Sequence, residues 1–257
     1  MLASPLVVHP VHYSRVPILK RLVPSIRKRR AWLTPPQRYR IVKRDESRFL
    51  VNFSTWADRM VILHGLVERP QMEFLLRSMR ERRCTMFLDI GAHMGTYAIT
   101  IAKRTSCAKI VAFEPDPRNH AHLQANPLLN GLVGIIEPRP LAISNTDGEV
   151  SFVLGPPGND VWSRIGEAQP DSVTIHVPSA RLDSILAVRG ASVALKIDIE
   201  GHELIALEGM GALLRANRCV RTASWLPCQP DACASRRVIR VAVTAPGYVP
   251  GYGYGPR

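Results

Sequence analysis

The chain has 257 residues, enough for one sizeable domain with extensions, and its 46% hydrophobic content is ordinary for a protein with a packed core. No run approaches the ~18 unbroken apolar residues of a membrane helix, which argues against membrane insertion. The formal net charge of +13 would imply an anionic partner if it lay on one face.

The charge is instead concentrated at the start. No Asp or Glu precedes Asp45, whereas Arg15, Lys20, Arg21, the Arg27-Lys28-Arg29-Arg30 run, Arg38, Arg40, Lys43 and Arg44 all do. Residues 1–55 therefore read as a basic, Pro-containing arm, partly ordered at best. Pro5, Pro10, Pro17 and Pro24 interrupt the long amphipathic helix of a transit peptide. A solvated tail is the first reading of this arm, and contact with nucleic acid or a membrane surface the second. A folded domain is expected over 56–243, with its motif-bearing core at 84–215, and the Gly/Tyr-rich end at 244–257 reads as disordered. Cys84, Cys107, Cys219, Cys228 and Cys233 form no C-x-x-C pair and suit a reducing, cytoplasmic setting.

In chain order, Met72, Phe74, Leu75 and Met79 fall near helical spacing between Pro70 and Arg83. Met86–Ile90 reads as a buried strand, Gly91-Ala92-His93-Met94-Gly95 as a tight turn, and Thr96–Arg104 as a helix. Lys109–Phe113 is a second strand ending in Glu114-Pro115-Asp116-Pro117, and a helix is expected from Asn119 to Leu129, bent or ended by Pro127. Gly134–Glu137 is a candidate third strand. Leu141–Ser144 and Val150–Leu154 flank Asn145-Thr146-Asp147-Gly148, whose Asp-Gly pair favours a hairpin turn. Gly155–Pro170 reads as a loop, Asp183 as the N-cap of a short helix, Val193–Ile199 as a strand and His202–Leu214 as a helix. Strands alternating with helices predict a mostly parallel sheet covered on both faces.

In such sheets ligands bind beyond the carboxyl ends of the strands, and three signals fall there. In Asp89-x-Gly91-x-x-x-Gly95, glycines let the backbone approach a nucleotide-like ligand beside a helix N-terminus, although a tight turn alone would also use them. Glu114 ends the second strand, where a carboxylate can accept both hydroxyls of a ribose. In Lys196-Ile197-Asp198-Ile199-Glu200-Gly201-His202, the two-residue period puts Lys196, Asp198 and Glu200 on one face if the strand persists. A structural Lys–Asp ion pair is the plainer reading. Catalytic groups at the open end of the sheet are the other.

The stretches FLDIGAHMGTYAITIAK, VAFEPDPRNHAHLQANPLLNG, LAISNTDGEVSFVL and ALKIDIEGHELIALEGM, in that order, resemble the FkbM family of methyltransferases over about residues 60–215. The resemblance implies a Rossmann-like class I methyltransferase fold (α/β, mostly parallel sheet), S-adenosyl-L-methionine as cofactor, and methylation of a hydroxyl on a sugar, polyketide or other small natural product. Carried over by position, Asp89, Gly91, Ala92 and Gly95 would line the methionine and ribose side, and Glu114 would hold the ribose hydroxyls. Ala142 would lie near the adenine, and Asp198 would face the methionine amino group or the acceptor. Asp198, Glu200 and His202 are the candidate bases, with Lys196 orienting a carboxylate, and the same three could instead hold a divalent ion. His93 stands where the family often has Asn. After Cys219 the sequence departs from the family pattern, so a divergent or incomplete C-terminal sheet edge is expected, with only Val238–Val243 reading as a strand.

Rival readings are a nicotinamide-dependent oxidoreductase, disfavoured because Gly91-x-x-x-Gly95 is not G-x-G-x-x-G, a nucleic-acid methyltransferase using the basic arm, and a cofactor-binding remnant without catalysis.

Overall fold

A computed structural model describes residues 39–64, 69–158, 162–167, 170, 172–223 and 238–243. Most of the expected arm, 1–38, and the expected tail, 244–257, lie outside the described residues.

The arm reading fails from residue 39 onward. β1 (Tyr39–Arg44) and β2 (Ser47–Asn52) form an antiparallel hairpin, and Phe49 and Val51 are fully buried in the main core. The basic residues of this stretch mask a period-two pattern in which Arg48 faces out between Ser47 and Phe49. α1 (Trp56–His64), α2 (Arg69–Glu81), β3 (Met86–Ile90), α3 (Thr96–Arg104), β4 (Lys109–Phe113), α4 (Pro117–Leu129) and β5 (Ile136–Arg139) follow. α4 begins two residues earlier than the sequence suggests because Asp116 caps it, accepting from the Arg118 amide, with Pro117 in the first turn. Pro127 sits in the last turn without ending the helix.

β6 (Ala142–Ile143), β7 (Gly148–Leu154), β8 (Arg164–Ile165) and β9 (Val173–Ala180) form a separate four-stranded sheet in the order β6-β9-β7-β8. The expected Asp-Gly hairpin is absent: β6 pairs parallel with β9, and β7 pairs antiparallel with β9. The chain then runs through α5 (Leu182–Ile185), β10 (Ser192–Ile197), α6 (Glu203–Glu208), α7 (Gly211–Ala216), β11 (Arg218–Ala223) and β12 (Val238–Val243). Asp183 does not cap α5. Its carboxylate accepts from the amides of Ala212 and Leu213 and so caps α7. The single helix expected from His202 is broken at Gly209, where a Cβ would lie 1.9 Å from the Ser144 carbonyl oxygen.

The main sheet has the order β12-β11-β10-β3-β4-β5, all pairs parallel. The chain starts at β3, moves outward through β4 and β5, and returns to the other side of β3 at β10, which makes the β3/β10 boundary the topological switch point. Phe87, Ile110, Ala112 and Ala194 face a core shared with α2, α3 and the hairpin, while Leu88, Val111, Phe113, Leu195 and Ile197 face a second core under α5, α6 and α7. This is the doubly covered α/β sheet expected from the alternation of elements. β11 corrects the reading of the C-terminal edge: the mixed polarity of Arg-Cys-Val-Arg-Thr-Ala conceals a strand in register with β10.

Asn126 ties the hairpin to the sheet, because its buried Oδ1 accepts from the Leu50 amide at 2.7 Å and its Nδ2 donates to the Met94 carbonyl at 2.9 Å. Asn126→Ala strands both backbone groups and is expected to cost about 2 kcal/mol. That corresponds to a fall in Tm of roughly 4–8 °C for a domain of this size, with faster hydrogen exchange at Leu50. Unchanged exchange there would show that the hairpin is held otherwise.

Candidate functional site

A cavity of about 240 Å³ opens at the carboxyl ends of β3, β4 and β10, at the switch point. Its floor is Ile90 to His93, Phe113, Glu114, Lys196 and Asp198 to Glu200, with Thr96 and Tyr97 of α3 alongside. Leu141 to Ile143 form one wall, and Trp56 of α1 and Ser163 to Ile165 around β8 form the outer side.

The Gly91 turn is fixed from both neighbouring strands. Gly91 and Ala92 amides donate to the Phe113 carbonyl at 3.0 and 2.9 Å, and the Asp198 amide donates to the Ile90 carbonyl at 3.0 Å. Gly91 has φ +76, and a Cβ there would meet the Asp198 carbonyl oxygen at 1.9 Å, so glycine is a requirement of this junction. Gly95 has another duty. It does not line the cavity, and its missing Cβ leaves room for Leu123 of α4 at φ +87. The helix packing sets this residue, and its carry-over as a ligand contact is corrected.

Glu114 lines the cavity. Its Oε2 accepts from the His93 amide at 2.8 Å and its Oε1 from the Asp116 amide at 3.0 Å. Burial pushes its carboxyl up to about 7 against the pull of His93 and the two amides. Each oxygen keeps a further lone pair for a hydroxyl. His93 occupies a left-handed conformation, φ 50, at this turn, which a family Asn tolerates more readily.

Asp89 and Lys196 are register partners on β3 and β10. Asp89 is fully buried and does not line the cavity, which corrects its expected place beside the ligand. Its Oδ2 accepts from the Ala98 amide at 3.2 Å, its Oδ1 lies 3.8 Å from Lys196 Nζ, and burial raises its carboxyl to about 6 despite that ammonium. Lys196 Nζ donates to the Gly91 carbonyl at 2.7 Å and lies 3.4 Å from Asp198 Oδ2 and 5.4 Å from the Tyr97 ring. One buried ammonium thus joins the glycine turn, the sheet interior and the Asp198 carboxylate at the cavity. The Lys–Asp pairing of the plainer reading is present, and Asp198 also lines the cavity.

β10 ends at Ile197, so the two-residue period does not carry through to His202. Glu200 takes φ 52 and Gly201 φ 97, turning the chain away. Strain of this kind at a non-glycine residue concentrates at functional sites. Glu203, buried and not foreseen as a candidate, holds the turn by accepting from the Ile199 and Gly201 amides, both at 3.2 Å. Glu200 stands at the cavity rim, where loss of hydration and the charges of Asp198 and Glu203 push its carboxyl up to about 7. His202 does not line the cavity: its Nε2 lies 3.0 Å from Ser144 Oγ, and burial lowers its pKa. The turn at Glu200 and Gly201 carries His202 away from the cavity, which corrects its expected place as a candidate base. Among the described residues no group of three His, Cys, Asp or Glu side chains is arranged to hold a metal ion. Ala142, the first residue of β6, is buried on the cavity wall.

The donor set fits S-adenosyl-L-methionine: a turn with no room for a Cβ, a buried carboxylate with spare lone pairs, and a second carboxylate across the cavity for a cation. A cavity at the switch point of a parallel sheet is where enzymes of Rossmann-like architecture bind their ligands. The chain belongs to the FkbM family of methyltransferases: the profile described as Methyltransferase FkbM domain matches residues 89–222, just over half of it. Hexuronic acid methyltransferase AglP of Haloferax volcanii is 29% identical over 132 residues, covering 50% of this chain and 51% of the relative, so the chain spans about half that protein's length. The FkbM methyltransferase structure from Methylobacillus flagellatus KT is 19% identical, covering 51% of this chain and 30% of that one at a TM-score of 0.36. The O-methyltransferase of Bacillus cereus, solved with SAH, is 15% identical, covering 52% and 47% at a TM-score of 0.31. No described helix is long and apolar enough to cross a membrane.

Proposed function

We propose that the protein is an S-adenosyl-L-methionine-dependent O-methyltransferase acting on a hydroxyl of a small glycosyl or natural-product acceptor. The observation that carries this reading is the convergence of the Gly91 turn, Glu114, Asp198 and Glu200 on one cavity at the switch point. Family membership supports the methyl-transfer class, and the hexuronic acid in the name of the Haloferax relative supports a sugar among the possible acceptors.

In this reading Glu114 accepts the ribose hydroxyls, the Gly91-Ala92 backbone lies along the methionine side and Ala142 borders the adenine. Asp198, held by Lys196, faces the amino group. The cofactor supplies an electrophilic methyl on a sulfonium. The chain aligns the acceptor in line with it and excludes water, a contribution on the order of 7–11 kcal/mol in well-oriented cases. As the acceptor oxygen gains the methyl, its proton passes to Glu200.

Glu200 suits that task because a base works best with a pKa near the operating pH. Asp198 and Glu203 raise its pKa while Lys196 and Arg164 oppose them. The ionised carboxylate is the active form, so kcat/KM is expected to rise with pH through about 7 and level off above it. Glu200→Gln should remove this limb and lower kcat about 10²-fold or more, with the cofactor Kd nearly unchanged by calorimetry. Normal turnover in Glu200→Gln would remove Glu200 from the mechanism, and failure of the wild-type chain to bind S-adenosyl-L-methionine would defeat the enzymatic reading altogether.

A further inference from the structure

Arg164, on the two-residue strand β8, is half-buried and lines the same cavity. A guanidinium presents five N–H donors in a fixed fork suited to a carboxylate. Among the described residues none of these donors has a hydrogen-bond or ion-pair partner. Its charge is felt by Glu200, on the β10 side of the cavity, without a bonded pair forming.

The fold also fixes where Arg164 stands. The neighbouring Ser163 donates to Asp116 Oδ2 at 2.7 Å and accepts from the Gly155 amide at 2.9 Å and from Arg118 Nη2 at 3.2 Å. Arg118 in turn bonds Asp116 at 2.7 Å and the Gly155 carbonyl at 3.3 Å. Asp116 is fully buried, and Arg118 and Ser163 hold its carboxyl below the ordinary range against the opposing effect of that burial. Both ends of the 155–163 segment are therefore clamped to the cap of α4, one residue from Arg164. Trp56 completes this side. It lines the cavity yet stays 40% exposed, and its amide donates to the Gly158 carbonyl at 2.8 Å. An exposed indole at a cavity mouth offers a rigid apolar surface for one face of a sugar ring.

We infer that Arg164 is the specificity-determining residue for a carboxylate-bearing glycosyl acceptor, a uronate, whose ring lies against Trp56 and whose hydroxyl receives the methyl. The inference rests on the methyltransferase reading above. With the Lys196 ammonium engaged by Asp198 and the Gly91 carbonyl, the Arg164 guanidinium facing Glu200 matches a monoanion, whereas a phosphate dianion would bring more negative charge than it compensates. In the transfer the S–CH₃ bond breaks and the O–CH₃ bond forms, the sulfonium becomes a thioether and the hydroxyl proton goes to Glu200. The acceptor carboxylate stays on Arg164 and is unchanged.

The test uses the full chain with p-nitrophenyl β-D-glucuronide and p-nitrophenyl β-D-glucoside, measuring kcat/KM for each and, in parallel, S-adenosyl-L-methionine binding by calorimetry. Wild type is expected to prefer the glucuronide at least 30-fold. Arg164→Gln should cut that preference at least tenfold, and Arg164→Lys should restore part of it, as expected for a charge-assisted bond. The cofactor Kd should shift less than threefold in both variants. A preference unchanged in Arg164→Gln overturns the inference, as does equal use of both probes or a methyl recovered as an alkali-labile ester. Cofactor binding without methylation of either probe also overturns it while leaving the methyltransferase reading intact. Absence of cofactor binding by wild type would instead defeat the underlying reading.

Discussion

Gly91→Ala is expected to be the most damaging single-methyl addition in the domain, lowering Tm by at least 10 °C or leaving the protein insoluble. The new Cβ would sit 1.9 Å from the Asp198 carbonyl oxygen, 2.9 Å from its carbon and 3.0 Å from Ile199 Cγ2. The obstructing atoms are backbone, held in place by the Asp198 amide bond to Ile90 at 3.0 Å. Relief therefore requires β3 and β10 to separate at the switch point. That motion breaks the Asp198–Ile90 hydrogen bond and the Lys196 bond to the Gly91 carbonyl. The left-handed φ adds about 1–2 kcal/mol of its own for any L-residue. The sum reaches the exceptional class of about 4–5 kcal/mol against a total stability of only about 5–15. Gly95→Ala is the built-in comparison, since its Cβ would meet the flexible end of Leu123 at 2.8 Å. It should cost much less, and Gly91→Ala melting within 3 °C of wild type would refute the junction argument.

The same junction explains what could be read from the sequence. Met86–Ile90, the glycine turn and Lys109–Phe113 were legible because fully buried parallel strands need unbroken apolar runs, and strand, turn and helix follow within a few residues. Glu114 was legible because a strand end fixes where its side chain goes. The duty of Gly95 is not legible in this way, since a glycine that admits Leu123 and one that admits a ligand look alike in sequence. His202 was misplaced because the two-residue period ends where Glu200 turns left-handed, and no local pattern announces that turn. β1 and β2 are hidden among basic residues, and β9 under a Thr, His and Ser mixture whose partners on β7 lie 19 to 31 residues away in the chain. Asp116-Pro117 did carry a cap signal for α4, and the same carboxylate proved to anchor Ser163. Arg164 carries no signal at all: a lone arginine in a Gly- and Pro-rich stretch acquires meaning only from the clamp beside it and the cavity in front of it.

Glu114→Gln is expected to separate cofactor binding from stability more cleanly than any other change at the site. Replacing an ionised acceptor of two ribose hydroxyls with an amide should weaken S-adenosyl-L-methionine on the order of 100-fold, since each bond to a charged group contributes about 1.5–3 kcal/mol. Stability responds through opposing effects. With the folded-state pKa raised from 4.5 to about 7, the fold disfavours the ionised carboxylate. Its cost is absent below pH ~4.5, grows as pH rises toward 7 and reaches about 3 kcal/mol above that. Glutamine removes this cost but turns an NH₂ toward either the His93 or the Asp116 amide, a loss of about 1–3 kcal/mol. The variant should thus melt within about 4 °C of wild type at pH 8, and its Tm should drop relative to that of wild type as pH is lowered to 5, where the wild-type ionisation cost disappears. Hydroxyls donating to Glu114 favour its ionised form, so cofactor binding by wild type near pH 6 should release protons, detectable by calorimetry in buffers of different ionisation enthalpy. Glu114→Gln should abolish that component. Cofactor binding by the variant within threefold of wild type, or proton release identical in the two proteins, would remove Glu114 from the ribose site.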